Sequence, residues 1–364
     1  MKKRNITILA IGDRVDYDSY NKLHKDNRLF LEKGFNYTNV NYKEVLAGKF
    51  PEIETRKVII FAFFPFDYWN KYIEHKYYKG AYGNIVFFKK FVKFCENLRK
   101  IITNALPDKE IFFVNNPSAC AVYRDKLAVK KKLSQTGVLN PKLHKSMHVK
   151  KLRKRLNEGQ NFFVKPRCGS MGKGITFLSW PEWQTNFIFK NNKIISKKSD
   201  HGWRFSNITG NNAFLDQLLR KDIFIEEAVD SLVLNKMKVD LRIYTFFNKV
   251  LYIYPRKNHA EKVTTNISQG GIGAPELLNI LPKSLVFKAK KLAEKTSKVL
   301  GFNLVGIDIA LDRNLKDMYV IDINAFPGFP KRKTFNVTRY MVKELVTLVN
   351  RGGLNFEKGC NIQL

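Results

Sequence analysis

The chain has 364 residues, 44% of them hydrophobic, and a formal net charge of +33. That length suits two or three packed domains, and the composition is that of a globular protein. No run approaches the 18 apolar residues of a membrane helix. The apolar run 6–11 after Lys2, Lys3 and Arg4 meets Gly12, Asp13 and Arg14, and is too short for a secretory signal.

Cys95, Cys120, Cys168 and Cys360 form no CxxC pair, so four free thiols in a reducing, cytoplasmic compartment are expected. His144 and His148 are four apart, but their segment reads as loop, and no zinc site is expected. The positive charge is spread over 89–100, 150–155 and 288–298. It reflects either an anionic partner or a bias toward Lys, Asn, Ile and Phe. No nucleic-acid motif accompanies it, so no nucleic acid is expected.

In chain order, strands are predicted at 5–11 and 56–65, an amphipathic helix at 87–102 and a strand at 110–114. This alternation predicts an open α/β layer. The aromatic stretch 61–82 reads as core plus a substrate-facing edge, which pattern does not separate. A helix is predicted at 123–137, a break at Pro141 and a short helix at 150–156. Strands at 161–165 and 175–178 flank a glycine-containing loop. Residues 181–210 read as polar and irregular. Then come a helix ending at 215–220, a strand at 223–227, a hairpin of 239–247 with 250–254, and a helix at 285–299. Strands at 305–311 and 318–324 pair around the turn 312–317, and a helix at 339–349 closes the chain. Domains are expected at 1–118, 119–222 and 223–364.

The loop Gly169-Ser170-Met171-Gly172-Lys173-Gly174 follows the strand that ends in Lys165. Glycines let backbone amides approach phosphate oxygens, and Lys165 and Lys173 can neutralise them. The spacing departs from a P-loop, because only two residues separate Gly169 from Gly172 and Gly174 follows the lysine. The dinucleotide fingerprint fails too, because a strand follows the loop. Lys238, Asp240 and Arg242 alternate with Val239, Leu241 and Ile243. Period two puts them on one strand face, about 7 Å apart, as a strip suited to a polyphosphate. Asp240 is expected to position the two cations, or to touch the sugar or the metal shell, rather than to act as a base. Asp308, Asp322 and Asn324 sit in otherwise apolar strands, where a carboxylate is costly unless paired or metal-bound. Three such oxygen donors suit Mg²⁺ bridging polyphosphate oxygens.

In this order the motifs resemble the ATP-grasp superfamily from about residue 115 to 328. The segment Asn116-Pro-Ser-Ala-Cys-Ala-Val-Tyr-Arg-Asp-Lys126 is similar to its entry motif. The resemblance implies two lobes that clamp ATP, with an N-terminal open α/β (pre-ATP-grasp) domain on the acceptor side. It makes Lys126 and Lys165 the nucleotide-binding lysines and 169–174 the mobile loop. It puts Glu226 against the adenine amino group and the backbone of Glu227, Ala228 and Val229 along the ring edge. Lys238, Asp240 and Arg242 match a strand of tubulin tyrosine ligase-like members. Asp308, Asp322 and Asn324 match the metal set, with two Mg²⁺ ions expected.

Arg256 and the segment Thr264-Thr-Asn-Ile-Ser-Gln-Gly-Gly271 resemble glutathione synthetase, ribosomal-S6-modifying and spore-coat-associated ATP-grasp types. There Arg256 contacts the transferred group, and Asn266, Gly270 and Gly271 shape the acceptor pocket. Asp322 stands where most of these ligases carry Glu and is similar to the inositol phosphate kinases of the fold. The resemblance implies a carboxylate–amine ligase working through an acyl phosphate, with Arg242, Arg256, Lys238 and Asp240 at the reacting groups. The alternative is a kinase of an anionic polyol. An anionic small molecule or acidic peptide is the expected substrate, and His259 is a candidate helper.

Overall fold

The computed structural model describes residues 4–13, 19–144, 147–196 and 202–358. The first sheet has the strand order Glu357–Lys358, Glu110–Phe113, Lys57–Ala62, Ile6–Ile11, Asn36–Val40. Its last four strands run parallel. Every residue of Ile6–Ile11 is buried, as expected of a central strand in a parallel sheet covered on both faces. The helix Ile85–Ala105 begins where the Asn84 side chain accepts the Val86 amide at 2.9 Å. Its Phe87, Phe91, Phe94, Leu98 and Ile102 form the stripe that packs against this layer and the aromatic segment before it.

A second, antiparallel sheet carries Phe162–Pro166 and Thr176–Leu178 around the glycine loop, with Ile223–Glu227 beside Phe162–Pro166. The expected domain break at 222/223 therefore falls inside one sheet, and Glu357–Lys358 returns to the first sheet. Residues 181–210 are more regular than expected. Trp183–Thr185, Ile188–Lys190, Lys193–Ile195 and Ser206–Asn207 are strands, anchored by buried Trp183, Phe187 and Trp203. Residues 197–201 and Cys360 lie outside the described residues. Cys95, Cys120 and Cys168 are free and buried. The expected helix 123–137 is Lys126–Gln135, and a short helix that was not expected, Pro117–Val122, precedes it. Among the described residues no helix is long and apolar enough to cross a membrane.

The third sheet has the order Ile272–Gly273, Lys249–His259, Met237–Phe246, Leu304–Leu311, Met318–Asn324. Its register places Arg242 opposite Asp308, Asp308 opposite Asp322, and Asp240 opposite Arg256. Opposed residues on one sheet face are in contact distance. Four strands therefore deliver one charged row. Gly306 makes the room for it, since a β-carbon there would come within 2.8 Å of Nη1 of Arg242.

One carboxyl sits apart from this row. Asp13, two residues past the strand Ile6–Ile11, accepts the Asp67 amide at 2.9 Å. Burial pushes its pKa up to about 6, against the pull of that bond. A raised carboxyl contributes stability below its unfolded pKa and loses it as pH climbs through 6. Asp13→Asn, which keeps an acceptor oxygen, is expected to stabilise the protein by about 2 kcal/mol at pH 8 and not at pH 4. Urea unfolding at the two pH values checks it.

Candidate active site

Asp125 starts the site. Its side chain caps the helix Lys126–Gln135 by accepting the Leu127 and Ala128 amides at 3.1 and 3.2 Å. The same carboxylate takes Arg167 at 2.8 and 2.5 Å, pinning the helix to the start of the glycine loop. Lys126 and Lys130 then lie one turn apart on one face. Lys126 reaches Asp322. Lys130 and Lys165 converge on Glu226, Lys130 at 2.7 Å.

Glu226 is 1% exposed and lies between two ammonium groups. Burial opposes its ionisation, but Lys130 and Lys165 outweigh it and hold the carboxyl below the usual range. Glu226 thus places two lysines, and it also lines the cleft in which the adenine was expected. The rest of the hinge behaves differently. Glu227 turns to His144 at 3.0 Å and Arg155 at 2.9 Å. Ala228 and Val229 line a cleft of about 640 Å³. Phe163, Phe177, Ile175, Val233 and Ile321 give this cleft apolar walls fit for a planar base. Lys126, Lys165, Lys238, Asp308 and Asp322 line it too.

At the other end of the cleft the charged row is fully paired. Arg242 grips Asp308 with two nitrogens, one at 3.0 Å. Arg256 binds Asp240 at 2.8 and 2.5 Å and Asp308 at 3.1 Å. Asp240 was expected to align Lys238 and Arg242. Instead it binds the arginine of the neighbouring strand, while Lys238 donates to the Lys262 carbonyl at 2.8 Å. The Asn324 amide, with its oxygen toward Arg242, accepts from both terminal nitrogens at 3.1 Å. Burial raises Asp308, opposed by the two arginines. Burial would also raise Asp322, but Lys126, Lys165 and Arg242 hold it at about 2.

The donor chemistry of Asp308, Asp322 and Asn324 fits Mg²⁺: two carboxylates and an amide oxygen on one sheet face, all hard oxygens. Among the described residues no group of three or more His, Cys, Asp or Glu forms a metal cage. A set of one or two carboxylates is how Mg²⁺ is held when substrate phosphates complete its octahedron.

A second cleft, of about 370 Å³, shares Lys126, Gly169, Ser170, Gly172, Asp308 and Asp322 with the first. Phe63, Phe64, Phe66, Tyr254 and Phe326 wall it, and Arg124, Arg242 and Arg256 charge it. Asn266 and Gly172 meet at this junction, and Ser268 donates to the Met171 carbonyl at 3.0 Å. The turn after Asn266 closes through Gly270 and Gly271, whose amides bond Ile267 and Asn266 carbonyls. A β-carbon on Gly271 would lie 1.9 Å from the Thr265 carbonyl oxygen, so only glycine fits. His259 is exposed and lines neither cleft.

Two cations were missed. Lys130 sits in a run of three lysines that are equivalent by type; only burial singles it out. Arg124 lies with its guanidinium 4.4 Å from the Trp69 ring centre and donates to Ser170 at 3.1 Å. It has no carboxylate partner among the described residues. Its place two residues before Lys126 was the one available signal.

A lysine-and-carboxylate nucleotide cleft between two antiparallel sheets, with an α/β layer beside it, defines an ATP-grasp protein. The chain belongs to the YheC/D-like ATP-grasp family, whose model matches residues 115–348. It is similar to a cyanophycin synthetase of Crocosphaera subtropica, 25% identical over 252 residues. That match covers 56% of this chain and 27% of the relative, so the chain spans about a quarter of that protein's length. Its fold is similar to that of a RiPP-associated ATP-grasp ligase of Chryseobacterium gregarium, solved with ADP and a leader and core peptide. There the TM-score is 0.55, the identity 13% and the coverage 97% and 99% of the two chains. The macrocyclase MdnC of Microcystis aeruginosa, bound to its precursor peptide, gives 0.54, 14%, 94% and 99%. D-alanine–D-alanine ligase of Bacillus anthracis in complex with ATP gives 0.50, 14%, 96% and 99%.

Proposed function

We propose that the protein is an ATP- and Mg²⁺-dependent carboxylate–amine ligase that forms an amide through an acyl phosphate and releases ADP and phosphate. The observation that carries this reading is the continuity of two clefts through Lys126, Asp308 and Asp322. One has the apolar slot and lysines for ATP. The other is a cationic, aromatic chamber for an acceptor. The ligase and macrocyclase names of the similar structures support it.

Asp308, Asp322 and Asn324 would hold Mg²⁺, which supplies charge neutralisation across the β- and γ-phosphates when bound. Lys126 and Lys165, placed by Asp322 and Glu226, face the phosphate oxygens. Arg242 and Arg256 border the junction where a substrate carboxylate attacks the γ-phosphate, and they offset the charge that develops there. The 169–174 loop, together with Asn266 and Ser268, covers the junction and excludes water from the acyl phosphate. An amine then attacks the acyl carbon and phosphate leaves.

A kinase would use the same nucleotide cleft, but its hydroxyl nucleophile needs a base. Among the described residues the second cleft is lined by two carboxylates, Asp308 and Asp322, and both are engaged by cations. A carboxylate nucleophile needs no deprotonation, which favours ligation. Arg124 suits an acceptor that carries an acid group, as an amino acid or acidic peptide does. Within the superfamily, we place the acceptor turn with the glutathione synthetase and ribosomal-S6-modifying types. Incubation with ATP, Mg²⁺ and pools of amino acids and short peptides should release inorganic phosphate equal to ADP. ADP without free phosphate, together with a phosphorylated product, would decide for the kinase.

A further inference from the structure

The lysine of the glycine loop lines the nucleotide cleft, but its ammonium is committed to a buried partner. The Lys173 ammonium binds Glu74 at 2.7 Å, with the two side chains 1% and 7% exposed. It also lies 4.8 Å from the ring centre of Tyr82. Glu74 belongs to the aromatic segment of the first layer, and its other oxygen accepts the Trp69 indole N–H at 2.8 Å. Trp69 packs against Phe64, a wall of the acceptor cleft, at 5.4 Å between ring centres. The loop is therefore tied through one carboxylate to the acceptor wall. A second tie runs parallel to it: Ser170 bonds the Tyr82 hydroxyl at 3.1 Å and receives Arg124, which is stacked on the same Trp69.

We infer that Glu74 is the positioning residue of the phosphate loop. It holds Lys173 against the aromatic segment that backs the acceptor wall, so the loop's backbone amides face the nucleotide and its closure is coupled to the acceptor side. This goes beyond the reaction proposed above and uses its nucleotide cleft. A charge pair this buried is not a solvated surface contact. It fixes one loop position, because breaking it would leave the Glu74 carboxylate buried without its cation. Contacts to the γ-phosphate depend on that position, whereas the adenine slot, built from the strand Ile223–Glu227 and its neighbours, does not.

The test is Glu74→Gln in the full chain, read by hydrogen exchange of the 169–174 amides and by the affinities of Mg–AMPPNP and Mg–ADP. Loop amides should exchange at least about tenfold faster than in the native protein, already without nucleotide. AMPPNP should lose about tenfold in affinity while ADP changes by less than about twofold. Glu74→Asp should recover part of both. If Glu74→Gln does not fold, the double variant Glu74→Leu/Lys173→Met leaves no orphan charge and should show the same loss of discrimination. Native exchange rates in the loop, or equal loss of AMPPNP and ADP, would overturn the proposal. If the native protein binds neither nucleotide, the ligase reading fails, and loop exchange in the nucleotide-free variant still decides the role of Glu74.

Discussion

Asp308→Asn is expected to lower ATP turnover by about 10²–10³-fold while ADP affinity changes little. Asp308 stands in the middle of the charged row. Arg242 and Arg256 both bind it, and Asp322 faces it across the strand pair. Asn keeps the shape but removes the charge that orients both arginines and offers a hard ligand. Arg256 keeps Asp240 and Arg242 keeps the Asn324 oxygen, so the row stays folded. The apolar walls from Phe163, Phe177 and Val233 are built from other residues and are untouched. The loss should therefore fall on turnover, measured as ADP release at saturating ATP and Mg²⁺. Unchanged turnover would remove Asp308 from the chemistry.

Glu226→Gln is expected to be the most destabilising single change in the nucleotide cleft, at roughly 3–5 kcal/mol. Lys130 is 4% exposed, and among the described residues Glu226 is the carboxylate in ion-pair contact with it, at 2.7 Å. Gln cannot answer it, so a buried ammonium is left without its ion-pair partner. The double variant Glu226→Gln/Lys130→Met removes the orphan and should recover most of the loss. Denaturant unfolding of the two single variants and the double gives the coupling energy directly. Equal, additive losses would mean that the pair is not the source. Lys165 also loses its partner, so weaker ATP binding should accompany the change in both variants.

Asp308, Asp322 and Asn324 were legible because carboxylates in otherwise apolar strands are conspicuous, and because period two fixes which residues share a face. The glycine loop and the paired strands around it were legible for the same local reason. Partners were not, because pairing between strands distant in sequence is decided by register. Asp240 could be assigned to Lys238 and Arg242 from its own strand, yet Arg256 from the adjacent strand takes it. Lys130 is hidden among Lys131 and Lys132, both exposed, and only tertiary packing distinguishes it. Glu74 lies in an aromatic stretch whose core and edge have the same composition. Residues 181–210 read as irregular because their strands are two or three residues long, too short for alternation to register.

The central claim is that ATP activates a carboxylate in the cleft shared by Lys126, Asp308 and Asp322. Hydroxylamine trapping tests it most directly. With ATP, Mg²⁺, an acceptor pool and hydroxylamine, the protein should form ADP and phosphate in equal amounts, matched by the sum of hydroxamate and amide, and Asp308→Asn should form none of these at a comparable rate. ADP formed together with a stable phosphorylated hydroxyl, and no hydroxamate or free phosphate, would contradict it.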